Sequence, residues 1–342
     1  MVDAICYEAE LRKSELAGEQ IQTIYFGGGT PSLLNQNQLK QLLDCISINF
    51  DVASEAEVTL ECNPDDLSPQ KLEEMKLAGI NRLSIGIQSF DDEILRFMNR
   101  AHDAGMAKDC IVWAKNAGFE NITIDLIYGV MGTDLAYWKR QLNLLKDYSI
   151  PHLSAYCMTI ESQTYFGHQH LKGKLDEMDE QQAEEQFKVL ISFMQTEGYE
   201  QYEISNFAKK GFISQHNSAY WRAQKYLGLG PSAHSYNGDE RSWNIANNAI
   251  YLREMKKGIR SFEKEVLSST DKFNDYVLTR LRTKWGLELD ELEQISPEAF
   301  RQISPVLKQK LAAGVLLQNQ NNVRLAPQSL FIADAVSADL FC

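Results

Sequence analysis

Residues that can hold a small polar ligand follow four successive strand-like segments in the N-terminal part of the chain. They are Gly27-Gly28-Gly29-Thr30-Pro31, Glu61-Cys62-Asn63-Pro64, Gln88-Ser89-Phe90, and Asp125 within the fourth segment. Three consecutive glycines remove every Cβ from a loop, so backbone N–H and C=O groups can approach a ligand closely. In parallel barrels the carboxyl ends of the strands face one site. The pattern therefore predicts a ligand site where four strand ends meet.

Other interpretations of these residues stay open. Gly27 and Gly29 fit the first two positions of a dinucleotide-binding loop, but Ser32 stands at the third glycine position and Pro31 lies in the turn. Taken singly, Glu61 and Asp125 could cap helices. Their joint occurrence at successive strand ends favours a ligand site.

Four motifs, taken in this order, resemble the radical S-adenosylmethionine (SAM) superfamily, in particular the proteins related to oxygen-independent coproporphyrinogen III oxidase. The motifs are Gly-Gly-Gly-Thr-Pro, Glu-Cys-Asn-Pro, Gly-Ile-Gln-Ser-Phe and Asn99-Arg100-Ala101-His102. The resemblance covers essentially the whole chain and implies a partial barrel that binds SAM across its strand ends. It implies that SAM is bound by Gly28, Gly29, Thr30, Glu61, Gln88, Arg100 and Asp125.

A second motif lies in the other half of the chain. The run His216-Asn217-Ser218-Ala219-Tyr220-Trp221 is similar to the H-N-x-x-Y-W motif of HemW-type heme chaperones, and the segments 202–208 and 228–235 are also similar to that branch. The resemblance implies heme as a ligand, with His216 as a candidate iron ligand.

The side chains of this motif are suited to heme, and a second interpretation stays open. An imidazole can supply an axial nitrogen to heme iron, and Tyr220 and Trp221 offer flat apolar area for a porphyrin. The alternative is that His216, Tyr220 and Trp221 are packing and hydrogen-bonding residues of a folded lid. His234 is a second candidate ligand.

The predicted function is that of a heme chaperone, which binds heme and transfers it to acceptor proteins. The alternative is a radical enzyme that resembles the coproporphyrinogen oxidase, and a SAM-dependent enzyme without radicals ranks third. Whether the chain is an enzyme is left undecided. The identity of the acceptor proteins is also undecided.

The radical SAM resemblance implies a [4Fe–4S] cluster held by three closely spaced cysteines. The chain has six cysteines, and no two of them lie within four residues of each other. We therefore expect an N-terminally truncated family member that lacks the cluster ligands and the first barrel strand. If Met1 is the true start, we expect no radical chemistry.

Length and charge limit the remaining classes. The 342 residues are 44% hydrophobic, which suffices for a large folded core. The net charge of −13 argues against a nucleic-acid partner, because such proteins concentrate Lys and Arg on one face. No apolar stretch is long enough for a membrane span, and no signal peptide opens the chain, so we expect a cytoplasmic protein. A homodimer stays one open alternative.

Alternating strand-like and helix-like segments predict the architecture. We expect an α/β fold, a partial (β/α)6-type radical SAM barrel lacking its first strand, with a C-terminal helical, winged-helix-like module. The predicted domains are the partial barrel at 1–160, a barrel extension and lid with the H-N-x-x-Y-W motif at 161–265, and the C-terminal module at 266–342.

Overall fold

Strands and helices alternate along the first 200 residues. The computed structural model describes residues 1–160, 167, 170–172 and 179–342, so parts of the predicted extension lie outside the described residues. The strands here are β1 (Ile21–Phe26), β2 (Val52–Cys62), β3 (Arg82–Gln88), β4 (Asn121–Tyr128), β5 (His152–Cys157), β6 (Glu200–Gln201) and β7 (Asn206–Ala208). The helices are α1 (Val2–Leu11), α2 (Gln36–Asn49), α3 (Pro69–Ala78), α4 (Asp92–Phe97), α5 (Ala104–Asn116), α6 (Leu135–Asp147) and α7 (Glu180–Thr196).

The strands form one seven-stranded sheet in the order β1-β2-β3-β4-β5-β7-β6. Strands β2 to β5 pair in parallel, whereas β7 pairs antiparallel with both β5 and β6. In β3 and β4 the side chains of Leu83, Ile85, Ile122 and Ile124 are completely buried. These residues alternate with Ser84 and Thr123 along the chain, so they lie on one face of their strands. The predicted parallel α/β sheet is confirmed.

Aspartates begin several of the helices that follow these strands. The side chains of Asp91, Asp103 and Asp134 each accept a hydrogen bond from a backbone N–H in the first turn of α4, α5 and α6. These caps satisfy donors that have no partner within the helix. The sequence predicts helices after Asp91, Asp103 and Asp134, and the structure confirms all three.

Strand β2 differs from its prediction. The sequence predicts a strand over residues 57–61, but β2 begins at Val52. Ser54 and Glu55 are exposed, so the first part of the strand lacks the apolar alternation that reveals a half-buried strand.

Later elements build two smaller antiparallel sheets. The strands are β8 (His234–Tyr236), β9 (Glu240–Asn244), β10 (Phe262–Val266), β11 (Leu287–Glu288), β12 (Leu316–Asn319) and β13 (Asn322–Leu325), in the orders β10-β9-β8 and β11-β13-β12. The helices are α8 (Gln215–Trp221), α9 (Asn248–Met255), α10 (Ser269–Leu281), α11 (Leu289–Ile295), α12 (Pro297–Ala312) and α13 (Ala333–Ala338). The hairpin of β12 and β13 confirms the turn predicted at residues 318–322, and a helical C-terminal part is present as expected.

The chain forms two units that are not continuous in sequence. The first comprises residues 1–24, 36–57 and 214–342, and the second comprises residues 25–35 and 58–213. The domain boundaries predicted at residues 160 and 265 stay predictions. Within the described parts of the chain, no helix combines the length and the apolar character needed to cross a membrane.

Candidate functional sites

The glycine run after β1 opens the candidate site of the second unit. Gly28 and Gly29 have φ angles of +76° and +65°, in the left-handed region that favours glycine. Gly27 is restricted for another reason, since a Cβ there would lie 2.5 Å from Cε1 of Tyr25 and 2.9 Å from Oε1 of Glu61. The loop therefore requires glycine both for its backbone conformation and for close packing.

Glu61, next to the end of β2, binds the glycine loop directly. Its carboxylate accepts a hydrogen bond of 2.6 Å from the Tyr25 hydroxyl and one of 3.0 Å from the Gly28 backbone N–H. Burial and the negative charge of Glu61 raise the pKa of Tyr25, so the phenol stays protonated and donates. Glu61 thus joins a strand end to the loop instead of capping a helix.

Gln88 and Arg100 lie close to the backbone of Gly86. Gln88 is a non-glycine residue with a φ of +63°, a strained conformation that the surrounding structure must impose. A Cβ at Gly86 would lie 2.9 Å from the Gln88 side-chain amide nitrogen and 3.4 Å from Nη2 of Arg100. Arg100 donates to the Asn63 side chain at 3.2 Å and to the Gly86 carbonyl at 3.3 Å.

The carboxyl group of Asp125 on β4 has a pKa well above that of an ordinary aspartate. Burial raises its pKa to about 7, and the hydrogen bond from Ser154 acts in the opposite direction. The charge of Glu61 also raises this pKa, whereas the charge of Arg100 lowers it. The carboxyl group can therefore change its charge near neutral pH, under the influence of charges of both signs.

Most of the predicted SAM residues lie close to one another or affect one another through their charges. Gly28 contacts Glu61, Glu61 and Arg100 act on Asp125, and Arg100 and Gln88 both approach Gly86. Thr30 lies in the exposed loop just before the short 3₁₀ helix Pro31–Leu33. Their role in binding SAM stays a prediction. Tyr25 and Gly86 were not predicted, although Tyr25 could have been found from its position two residues before the glycine run.

In the first unit, His216 lies in the first turn of α8. Its Nδ1 is 2.9 Å from Oγ1 of Thr23 on β1. Burial lowers the pKa of His216 to about 4, so the ring is neutral at pH 7. A neutral imidazole can coordinate a metal without first losing a proton.

Aromatic rings continue from His216. Tyr220, one helical turn later, contacts the imidazole edge-on with ring centroids 4.9 Å apart, and Tyr226 contacts Tyr220 at 4.6 Å. Tyr220 is 44% exposed, so its ring offers apolar area to a ligand. Trp221 lies beneath Arg282, whose guanidinium is 5.5 Å from the ring centroid. The motif therefore brings His216 and Tyr220 together, and the role of Trp221 in a heme site stays a prediction.

The residues that the structure describes do not fit a [4Fe–4S] cluster. None of the six cysteines forms a disulfide, and Cys62 and Cys110 are buried. Across residues 1–160 and 179–342, no group of three or more His, Cys, Asp or Glu side chains is arranged to hold a metal ion.

Comparison with known proteins identifies the family. The profile of the radical SAM superfamily matches residues 7–145. The heme chaperone HemW of Bacillus subtilis (strain 168) is 33% identical over 319 residues, which cover 92% of this chain and 84% of that protein. The chain belongs to the HemW family. The HemW of Lactococcus lactis is also 33% identical, over 86% of this chain and 78% of that protein.

A solved structure shows the same fold. Coproporphyrinogen III oxidase (HemN) from Escherichia coli, a radical SAM enzyme, aligns with a TM-score of 0.80 over 99% of this chain and 82% of that chain. The two sequences are 22% identical, so this similarity shows a shared fold and nothing about the reaction. Membership of the HemW family confirms the resemblance predicted from the motifs.

Proposed function

We propose that this chain binds heme and transfers it to acceptor proteins, and that its parallel-sheet unit binds SAM. One observation carries the proposal. In the H-N-x-x-Y-W motif, a neutral imidazole lies beside a half-exposed tyrosine ring, with Nδ1 held by Thr23. The HemW of Bacillus subtilis, to which the chain is similar, is named a heme chaperone.

His216 and Tyr220 have the properties that heme binding needs. Heme iron takes an axial ligand from a neutral imidazole, and the porphyrin needs flat apolar surface beside it. His216 supplies the first and Tyr220 the second. A ring that is partly exposed also suits a carrier, because the bound heme must leave again. Trp221, the third predicted residue of the motif, lies beneath Arg282.

The site of the second unit fits the polar end of SAM. SAM carries an amino group and a carboxylate on its methionine part, and Glu61 and Arg100 offer charges of opposite sign. Gly28 and Gly29 are exposed, and no heavy atom lies within 4 Å of the position of a Cβ at either, so such groups can approach their backbone. A bound SAM would replace the hydrogen bond that Glu61 accepts from the Gly28 backbone. Gln88 and Asp125 would bind the remaining polar atoms of SAM.

A visible-absorbance titration with ferric heme tests the proposal. The wild-type chain should bind heme saturably, and His216→Ala and Tyr220→Ala should both weaken binding. Tyr7→Ala is a matched control, because Tyr7 is an exposed tyrosine on α1 of the same unit. Absence of saturable binding by the folded wild-type chain would reject the heme proposal.

The oxidase alternative makes a different prediction. A protein with that activity would decarboxylate coproporphyrinogen III under anaerobic conditions after cluster reconstitution. Heme transfer is measured instead by loss of the heme spectrum from the carrier and its appearance in an apo acceptor. The cytoplasmic location stays a prediction.

A further inference from the structure

Thr23 makes a long-range contact with the candidate iron ligand. The two residues are 193 positions apart, and Thr23 lies in the middle of β1, where its backbone is fixed by the sheet. Its hydroxyl is 2.9 Å from Nδ1 of His216. In a neutral imidazole that coordinates iron through Nε2, the proton is on Nδ1, so Thr23 Oγ1 accepts a hydrogen bond from it.

Glu57 holds the helix that carries His216. Its side chain is only 4% exposed, and it accepts from the Ser214 hydroxyl at 3.3 Å and from the backbone N–H groups of Gln215 and His216 at 3.2 and 3.1 Å. These donors lie at the beginning of α8, where backbone N–H groups lack partners within the helix and a negative charge is favourable. Glu57 therefore fixes the start of α8 to strand β2.

The two contacts restrict His216 in complementary ways. Glu57 fixes the backbone from which the side chain leaves, and Thr23 fixes one nitrogen of the ring. Tyr220 contacts the ring from the next turn, at an interplanar angle of 87°. An imidazole held at its backbone, at Nδ1 and at its edge has little freedom to rotate.

We infer that Thr23 and Glu57 are positioning residues of the heme site, which set His216 to coordinate iron through Nε2. This inference rests on the proposed heme-binding function. Partners of this kind orient a metal-binding histidine and raise the basicity of its ligating nitrogen. Thr23 thereby strengthens electron donation to the iron, which favours the ferric state.

Thr23→Val tests the inference, because valine keeps the shape of threonine and removes the hydroxyl. We expect heme affinity to fall by roughly tenfold, in the range typical of lost partners of metal ligands. We also expect the iron(III)/iron(II) midpoint potential of bound heme to shift to a more positive value, since the ligand becomes a weaker donor. Thr23→Ser should restore both quantities. Glu57→Gln should weaken binding with a smaller change in potential.

Thr279→Val is the matched control, because this threonine of the same unit donates to the Asp275 carbonyl within α10. Far-UV circular dichroism and thermal unfolding establish that each variant is folded. If Thr23→Val binds heme with wild-type affinity and potential, the inference is wrong although the proposed function stands. If the wild-type chain binds no heme, both fail. If Thr23→Val does not fold, the comparison of Thr23→Ser and Glu57→Gln with wild type decides between the same outcomes.

Discussion

The two candidate sites differ in the kind of group that they offer to a ligand. At the strand ends of the second unit, charged side chains and glycine backbone dominate, with Glu61, Arg100 and Asp125 acting on one another. At α8 of the first unit, the groups offered to a ligand are neutral, namely the His216 imidazole and the Tyr220 ring. A small zwitterionic ligand suits the first environment, and a flat apolar ligand with a metal suits the second.

The two strands β1 and β2 contribute to both sites. β1 supplies Thr23 to the histidine and Tyr25 to Glu61, and β2 supplies Glu57 to the start of α8 and Glu61 to the glycine loop. In each strand the side chain nearer the carboxyl end belongs to the charged site. Positions two or four residues apart in one strand thus serve different sites, and variants should separate the two sites.

Among the variants, Arg100→Met should show the largest difference between its effect on SAM binding and its effect on heme binding. Removal of the guanidinium takes away hydrogen bonds to a charged donor, worth about 1.5–3 kcal/mol each. SAM affinity should therefore fall by roughly 10- to 100-fold in isothermal titration calorimetry. Heme affinity of the same variant should stay at the wild-type value. A parallel loss of heme binding would show that the two sites do not behave separately.

Heme affinity should fall at a lower pH than it would at a site whose histidine has an ordinary pKa. Burial lowers the pKa of His216 to about 4, so the imidazole stays neutral and available to iron well below its usual range. Heme affinity should be constant between pH 8 and about pH 5 and fall by about tenfold per pH unit below about pH 4, as protons compete with iron. A decline centred near pH 6.5, measured by absorbance titration, would contradict this assignment.

Gly28→Ala should weaken SAM binding through the backbone. A residue with a Cβ pays about 1–2 kcal/mol in the left-handed region, so we expect SAM affinity to fall by roughly 5- to 30-fold if the loop leaves this conformation. Gly18→Ala is the matched control, since Gly18 has a φ of +85° with open space around it and lies outside the site. Equal loss of SAM affinity in both variants would mean that general destabilisation, and not the loop, is responsible.

The smallest expected effect is the change in thermal stability caused by substitution of Asp125. Its folded-state pKa of about 7 is raised above the unfolded value of 3.8, so its contribution to stability is complete below pH 3.8 and is lost as the pH rises through 7. Asp125→Asn imitates the protonated form. It should raise the Tm by a few degrees at pH 8, leave it unchanged near pH 4, and flatten the profile between these values. Asp44→Asn, at an exposed position on α2, should leave the pH profile as in wild type.

Local chemistry explains which predictions succeeded. Strands β1 and β4 are rich in β-branched and aromatic residues, and the helices after Asp91, Asp103 and Asp134 follow from caps that lie within one turn. The motif at 216–221 is also local, since residues four apart share a helix face. Trp221, five positions after His216, lies on a different side of α8, and its part in the motif stays a prediction.

The sequence alone determined the alternating α/β architecture, the glycine loop and the family motifs, because each depends on neighbours along the chain. The tertiary structure decided which distant residues complete the sites. Thr23 meets His216 across 193 positions, and Tyr25 meets Glu61 across 36. Glu57 had no predicted role beyond its strand. These contacts arise only when the folded chain brings β1 to β2 and α8 to both strands, and no local preference of a threonine, tyrosine or glutamate specifies its distant partner.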